Sequence, residues 1–542
     1  MASETAATKE SASIAKAESA ESAKGSEGGR TIAPDLISRL TARVVSGGGS
    51  TVTTYAPFTQ KPLATIPQSD PDDVVAAYER ARAAGRAWAE RDPRERAKPF
   101  LRFAEAVLDR QAEILDIIQW ENGKARKHAF EEVVDVSAVS LYYARRAARL
   151  LRPRSRAGAL PVFTRTRELH HPKGVVGVIT PWNYPFALAV TDVVPALLAG
   201  NAVVHKPDTQ TALTALWAVQ VLEECGLPEG LWQVALGEPG TVGDPLVDGA
   251  DYVCFTGSTR AGRAIAERAA GRLIGCSLEL GGKNPMLVLS DADLDRTTEG
   301  ALRACFATAG QLCISMERMY VHESVYDAFL ERFLDRIRGM RLGQELDFTA
   351  DMGSLTFPRQ LERVSAHVDG AREADATVLS GGRPRPDVGP LFYEPTVLTD
   401  VTPRMAVCRE ETFGPVVSVY RFHDEDEAAR LANDTSYGLN ASVWTRDVGR
   451  GRAIARRIRA GTVNVNEGYG SAYASYDAPM GGMNDSGLGR RHGAEGLLKY
   501  TEAQTVASQH VLGFDPKFGM TAERYAAMLT AMLKVLKRTR IR

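Results

Sequence analysis

Over residues 174–270, short β-branched runs alternate with helical segments. GVVGVIT and NAVVHKP lead into a helical stretch at 211–225; LWQVAL and DYVCFTGS lead into another that ends at Ala270. Strand–helix alternation of this kind packs most simply as a parallel, doubly wound sheet, and such sheets bind ligands at the C-terminal ends of their strands. A second α/β block follows at 282–480, with the apolar runs NPMLVLS, RMYVHES, PVVSVY and TVNVNE. The expected class is therefore α/β, and no fixed-period repeat is visible.

The chain has 542 residues, and single cores stop growing at roughly 250–300, so at least two core-forming units are required. Residues 1–33 are mostly Ala, Ser, Glu, Lys, Thr and Gly with almost nothing to bury, and read as a disordered tail. The stretch VVSGGGSTV (44–52) reads as a flexible connection. Asp70 followed by Pro71 marks a helix start, with Val74, Val75, Tyr78, Ala81 and Trp88 at helical spacing, and a second long helix is expected over 99–119. From Thr521 the pattern is an amphipathic helix. Tyr525, Met528, Leu529, Met532, Leu533 and Leu536 share its apolar face, and Lys534, Lys537, Arg538, Arg540 and Arg542 make its end basic. Packing on its own protein or on a partner subunit is the favoured reading, over adhesion to a membrane surface.

Charge and cysteine usage exclude whole classes. Lys+Arg number 66 and Asp+Glu 67, a net charge of -1 that does not suit a protein neutralising nucleic-acid phosphates. No apolar run approaches the roughly 18 residues of a spanning helix. The six cysteines contain no C-x-x-C pair, no metal site is expected, and the N-terminus lacks an apolar signal core, so a reduced cytoplasmic setting is expected.

Several segments carry residues with chemical potential. Cys313 lies in ATAGQLCIS; read alone, a single cysteine is usually a small buried hydrophobe, as Cys254 and Cys276 appear in sequence. Glu279 lies in SLELGGKNP, ahead of Gly281 and Gly282, which permit close backbone approach. Asn183 follows a strand in TPWNYP, where its amide could donate to a developing oxyanion. Lys206 ends the strand VVHKP. The segment FTGSTRAG leaves a strand and opens a helix whose N–H groups can hold a pyrophosphate, although it fits neither the Walker pattern nor G-x-G-x-x-G.

Taken in order, TPWNYP, FTGSTRAG, LELGGKNP, GQLC and EETFGPVV make the sequence resemble the aldehyde dehydrogenase superfamily over roughly residues 50–510, with Glu279 and Cys313 separated by 34 positions. Within it the chain is similar to the actinobacterial NADP-dependent succinate-semialdehyde branch. The resemblance implies that Cys313 attacks the aldehyde as a thiolate and that Asn183 with the Cys313 N–H holds the oxyanion. Hydride then passes to the nicotinamide, and Glu279 activates the water that hydrolyses the thioester. Relatives that hand the acyl group to coenzyme A typically lack this base, so Glu279 favours a free-acid product. Ile179, Thr180 and Trp182 should line the dinucleotide cleft, and Lys206 should reach the adenosine ribose. Gly237 and Thr241 should lie on the following turn, Ser258 should contact the pyrophosphate, and Glu411 and Phe413 should grip the nicotinamide ribose.

Two features, one on the cofactor side and one on the substrate side, depart from better-known patterns in that family. Where NAD-preferring relatives often carry a Glu three residues after the lysine, this chain has Thr209, so NADP is expected to be preferred over NAD, with Asp208 acting in the opposite sense if it points inward. The two arginines that hold a distal carboxylate in succinate-semialdehyde enzymes are replaced by Ala307 and Thr191. Arg303 is expected on the wrong side of its helix, and Phe306 at the pocket edge suggests an apolar aldehyde. Succinate semialdehyde is the first expectation for substrate, with apolar aliphatic or aromatic aldehydes as the alternative.

The resemblance also implies three parts: a dinucleotide-binding domain (34–150 and 173–281), a catalytic domain (282–483), and a small β extension (151–172 with 484–512) pairing strands across subunits of a homodimer or homotetramer. The C-terminal helix occupies 513–542. Two other classes remain: a cysteine hydrolase or acyltransferase, which would need a histidine directed at Cys313, and a non-catalytic binding protein on the same fold, which would have lost the Cys, Glu or Asn.

Overall fold

The computed structural model describes residues 31–158, 163–510 and 512–539. The tail expected at the N-terminus falls outside them up to position 30, as do Arg540 and Arg542. The fold is α/β, as expected, with one six-stranded and one seven-stranded sheet.

In the first sheet the order is Gly487–Leu488, Gly275–Glu279, Tyr252–Thr256, Val175–Thr180, Ala202–Pro207, Trp232–Val234. All pairs are parallel except the first, which is antiparallel. Val175–Thr180 sits between the two directions in which the chain winds, so a crevice opens where its C-terminal end meets that of Tyr252–Thr256. These strands read as unbroken apolar runs because helices cover both faces; Ala202–Pro207 and Tyr252–Thr256 are buried at every position. The second sheet runs Thr377–Ser380, Thr396–Thr399, Val416–Phe422, Met316–His322, Asn284–Val288, Asn440–Trp444, Thr462–Val465, with only the first pair antiparallel. A third sheet joins Thr501–Gln509, Thr164–Pro172 and Arg154–Arg156, all antiparallel.

Local expectations fare unevenly. Asp70 caps the helix Pro71–Ala89 through a reciprocal capping box with Asp73, and Val74, Tyr78, Ala81 and Trp88 are buried, whereas Val75 faces solvent. The helix expected over 99–119 is two helices, Pro93–Asp109 and Gln111–Asn122, broken at Arg110, which leaves helical backbone geometry and pairs with Glu113 and Glu224. The flexible connection at 44–52 shrinks to its glycines: Val44 and Val45 are buried, the Val45 N–H donates to the Val234 carbonyl at 2.8 Å, and a strand begins at Thr51. The segment 484–496, assigned to the β extension, returns Gly487–Leu488 to the edge of the first sheet beside Glu279. The helix Ala522–Thr539 forms, with Tyr525 buried and Met528, Leu529, Met532 and Leu536 half-buried, but Leu533 is exposed.

Candidate active site

Cys313 is delivered by an unusual turn. The helix Leu294–Phe306 ends, and Thr308, Ala309 and Gly310 all take positive φ (52°, 53° and 70°). Left-handed backbone is costly for non-glycine residues and persists where the surroundings over-determine it. Here the Thr308 N–H donates to His128 Nδ1 and its hydroxyl to Tyr184. Any Cβ on Gly310 would lie 2.0 Å from the Gly414 oxygen. Glycines 281 and 282 serve the close approach that their sequence suggested: a Cβ on Gly282 would meet the Cys313 carbonyl at 2.5 Å, and one on Gly281 the Glu411 carboxylate at 2.7 Å. Asn284 ties the turn down by donating to the Cys313 carbonyl at 2.8 Å.

Around this turn lies a cleft of about 600 Å³, lined by strand ends of the six-stranded sheet on one side and by the Cys313 turn, the helix Pro358–Glu373 and the loop of Glu411 and Phe413 on the other. It brings together Cys313, Glu279, Asn183, Ile179, Thr180, Trp182, Lys206, Ser258, Glu411 and Phe413. Thr209, Gly237 and Thr241 are not among its walls; Asp208, Pro239, Gly243 and Asp244 stand there instead. The acid next to Lys206 is thus Asp208, whose carboxylate accepts the Gln210 N–H at 3.0 Å.

The electrostatics come mostly from burial. Desolvation, then the Glu411 and Glu279 charges, push the Cys313 thiol up to about 12. Glu279 ends the strand Gly275–Glu279 and is 6 % exposed; burial raises it to about 7 against the pull of Arg491 and Lys499. Glu411 is also raised to about 7, by burial and by Glu317, while accepting the Gly282 N–H at 2.9 Å. Asn183 is buried, and its side-chain amide donates to the Gln311 carbonyl at 3.0 Å.

Several supporting residues had no sequence motif to mark them. Lys124 donates to the Asn183 carbonyl at 2.7 Å and forms a fully buried ion pair with Glu132 at 2.6 Å. Glu317 accepts the N–H groups of Thr412 and Phe413 and pairs with Lys283, and Gln360 donates to the carbonyls of the same two residues. The one signal for Glu317 was a carboxylate inside an apolar parallel strand. Arg268, Arg359 and Arg363 add cationic walls to the cleft.

The residues present fit a phosphorylated dinucleotide. Ser258 caps the helix Thr259–Gly271, whose N-terminus opens on the cleft with Arg268 further along it. Lys206, 8 % exposed, lies at a strand end near the crevice, and Trp182 packs edge-on against Phe357 and Phe413 at 5.2 and 5.6 Å. On another side, Cys313 packs against an apolar cluster that includes Tyr184, Leu188, Ala307, Leu312 and Tyr469.

The aldehyde dehydrogenase family model matches residues 44–506. The chain belongs to this family. It is an NAD(P)-dependent oxidoreductase acting on aldehydes. Over 481 residues it is 52 % identical to a Mycolicibacterium smegmatis protein named "Putative succinate-semialdehyde dehydrogenase [NADP(+)]", covering 89 % of this chain and 93 % of that one. Its fold is similar to an NAD-dependent aldehyde dehydrogenase from Sinorhizobium meliloti (35 % identity, TM-score 0.83, 88 % and 94 % of the two chains). It is also similar to betaine aldehyde dehydrogenase from Staphylococcus aureus in complex with NAD+ (30 % identity, TM-score 0.84, 91 % and 99 %). Among the described residues no helix is long and apolar enough to cross a membrane.

Two substrate-side residues border a cavity other than the Cys313 cleft. Phe306 is 1 % exposed and stacked on Phe333, and lines that cavity beside Ala307, while the apolar surroundings of the thiol come from Tyr184, Leu188, Leu312 and Tyr469. Arg303 is not among the residues lining the Cys313 cleft. It lies over the Tyr469 ring at 4.9 Å and shares with Ala307 a second cavity of about 540 Å³, because one helical turn brings 303 and 307 onto the same face.

Proposed function

We propose that this enzyme oxidises an aldehyde to the free carboxylic acid through a thioester on Cys313, with Glu279 as the base of the hydrolytic half. The observation that supports this most is that Cys313, Glu279 and Asn183, which come from separate segments, line one cleft whose other end is suited to a dinucleotide. In the first half the Cys313 thiol gives its proton to water and the sulfur bonds to the aldehyde carbon. The oxygen that gains charge is received by the Asn183 amide and the Cys313 N–H. The bound nicotinamide supplies the hydride acceptor. In the second half Glu279 takes a proton from water, the hydroxide oxygen bonds to the thioester carbon, and the Cys313 thiolate leaves.

The substrate read first is a semialdehyde with a distal carboxylate, as in succinate semialdehyde. The name of the 52 %-identical relative supports it, and so does Arg303, a cation in a cavity whose wall includes Ala307, itself a member of the apolar cluster packed against Cys313. The second reading, an apolar aldehyde, is favoured by that apolar cluster and by the pairing of Arg303 with Glu131 (3.2 Å) and Glu467 (3.7 Å). Reduced-nucleotide formation with succinate semialdehyde, butanal, octanal and benzaldehyde decides between them. The first reading expects Arg303→Ala to lower kcat/KM for the semialdehyde at least tenfold and leave butanal within twofold. Equal effects on both, or a wild-type preference for octanal, would overturn it.

NADP is the proposed preferred cofactor on the printed name of the 52 %-identical relative, because Thr209, on which the sequence expectation rested, does not line the cleft. Asp208 at the cleft wall opposes a 2′-phosphate, so Asp208→Ser is expected to raise the NADP-to-NAD ratio of kcat/KM several-fold, while Thr209→Glu, off the wall, changes it little. A homo-oligomer in the cytoplasm is the proposed setting; the strand Thr501–Gln509 is at a sheet edge and exposed at every position after the first, as a strand that pairs with a second copy would be.

A further inference from the structure

Beneath the cleft floor a group of charges is shut away from water. Arg491 is 7 % exposed and Asp192 2 %. Arg491 donates from Nε and Nη2 to Asp192 Oδ2, at 3.1 and 2.5 Å, and from Nη2 to the Thr256 hydroxyl at 2.5 Å. The other Asp192 oxygen accepts Lys499 Nζ at 3.1 Å and the Tyr500 hydroxyl at 3.0 Å. Two cations share one carboxylate, so the group holds an excess of one positive charge in a low-dielectric place, where an unmatched charge is costly.

The backbone places Glu279 beside this excess charge. Thr256, which anchors Arg491, is the direct neighbour of Glu279 in the parallel register of their strands. Arg491 exchanges both backbone hydrogen bonds with Met480, at 2.6 and 2.9 Å. The next residue, Gly481, runs close beneath the Glu279 carboxylate: a Cβ there would lie 2.8 Å from the Gly489 oxygen and 3.1 Å from both Arg490 Cδ and Glu279 Oε1. One side of Glu279 is therefore its strand neighbour holding the guanidinium, and another is the backbone to which Arg491 is registered.

We propose that Arg491, clamped by Asp192 and Thr256, is a positioning residue for Glu279, holding its carboxylate in place and ionised for hydrolysis of the acyl-enzyme. This rests on the reading of Glu279 as the hydrolytic base. The charged groups acting on Glu279 are Arg491 and Arg490 from the segment after the short edge strand, Lys499 before the last strand, and Asp192 from the helix Pro185–Leu198. Across the cleft stand Cys313 and, bearing on that thiol, Glu411. Arg491 is the largest of the opposing influences to burial, and in turn feels Glu279 next after Asp192 among its carboxylates. Removing the cation leaves burial and Asp192 opposed only by Lys499 and Arg490, so Glu279 would bind its proton more tightly and be a poorer base at neutral pH.

The experiment uses the full-length protein and p-nitrophenyl acetate without nucleotide. Cys313 displaces p-nitrophenolate and becomes acetylated; water activated by Glu279 then releases acetate. The lifetime of acetyl-Cys313 is followed by quenched intact-mass measurement from pH 5.5 to 9. Arg491→Gln is expected to lengthen it about tenfold at pH 7 and move the acid limb up by at least one pH unit, with the burst amplitude still one p-nitrophenolate per site, although the burst slows because Arg491 also favours the Cys313 thiolate. Arg491→Lys, which keeps the cation, should restore most of the rate. If Arg491→Gln does not fold, Thr256→Val removes one anchor and no charge, and should lengthen the lifetime at least threefold. A wild-type acid limb in folded Arg491→Gln, or a wild-type lifetime in Thr256→Val, overturns the proposal. Glu279→Gln separates the two claims: if it deacylates at the wild-type rate, the reading of Glu279 itself is wrong.

Discussion

The Asn183 side-chain amide donates to the main-chain oxygen of Gln311, 3.0 Å away and two residues before Cys313. One hydrogen bond thus joins the loop after the central strand of the first sheet to the turn that carries the thiol. In the proposed mechanism the same amide receives the oxyanion formed next to that turn. Asn183→Ala is expected to lower kcat by roughly 10²–10³-fold, about 2.7–4 kcal/mol of transition-state stabilisation, with KM changed little. A drop below tenfold in steady-state rate would argue against an oxyanion role.

The thiol itself should be quiet in the free enzyme. Burial and two neighbouring carboxylates raise Cys313 to about 12, so the thiolate fraction is small throughout the neutral range and grows tenfold for each pH unit. Alkylation by iodoacetamide, followed by loss of activity, should therefore accelerate from pH 7 to pH 9 without reaching a plateau. A plateau near pH 8 would show a thiol more acidic than an ordinary one, whose value is 9.0, and not one raised by burial.

Glu279 should govern both a rate and a stability. Its carboxyl is raised to about 7 from an ordinary 4.5, and a base must be deprotonated, so acyl-enzyme hydrolysis should fall as pH drops through about 7. Glu279→Gln should still form one equivalent of reduced nucleotide per site and then stall. The raised value also means that the charged form is disfavoured in the folded state: stability from this group is present below pH 4.5 and lost as pH rises through about 7. Glu279→Gln should accordingly melt higher than wild type at pH 8, with the difference gone at pH 4.5, in calorimetric scans.

Lys124 and Glu132 form an ion pair with neither side chain exposed, and Glu132 also accepts the N–H groups of Phe186 and Ala187. Breaking such a pair leaves one buried charge unmatched. Lys124→Met should cost about 3–5 kcal/mol in denaturant unfolding, and because Lys124 also holds the Asn183 carbonyl, activity should fall even where the protein remains folded. Full activity in a destabilised variant would confine Lys124 to a structural role.

What the sequence determined by itself was whatever depends on local pattern. Strand–helix alternation over 174–270 was sufficient for the parallel sheet, because a buried strand must be apolar on both faces. Asp70 with Pro71 was sufficient for a helix start. The ordered motifs around Asn183, Glu279 and Cys313 pointed to the chemistry, and those residues line one cleft. The tertiary structure decided what depends on partners far away in the chain. Asp208 rather than Thr209 faces the cleft, since the turn after Pro207 commits Asp208 to capping the Gln210 N–H and sets the direction of its neighbour. Phe306 points into the core and Arg303 toward Tyr469, because the helix Leu294–Phe306 is oriented by its packing against Phe333. The joining of Asp192 to Arg491, 299 positions later, has no local pattern at all. Burial and charge pairing act through space, and only the assembled fold brings those groups within reach of one another.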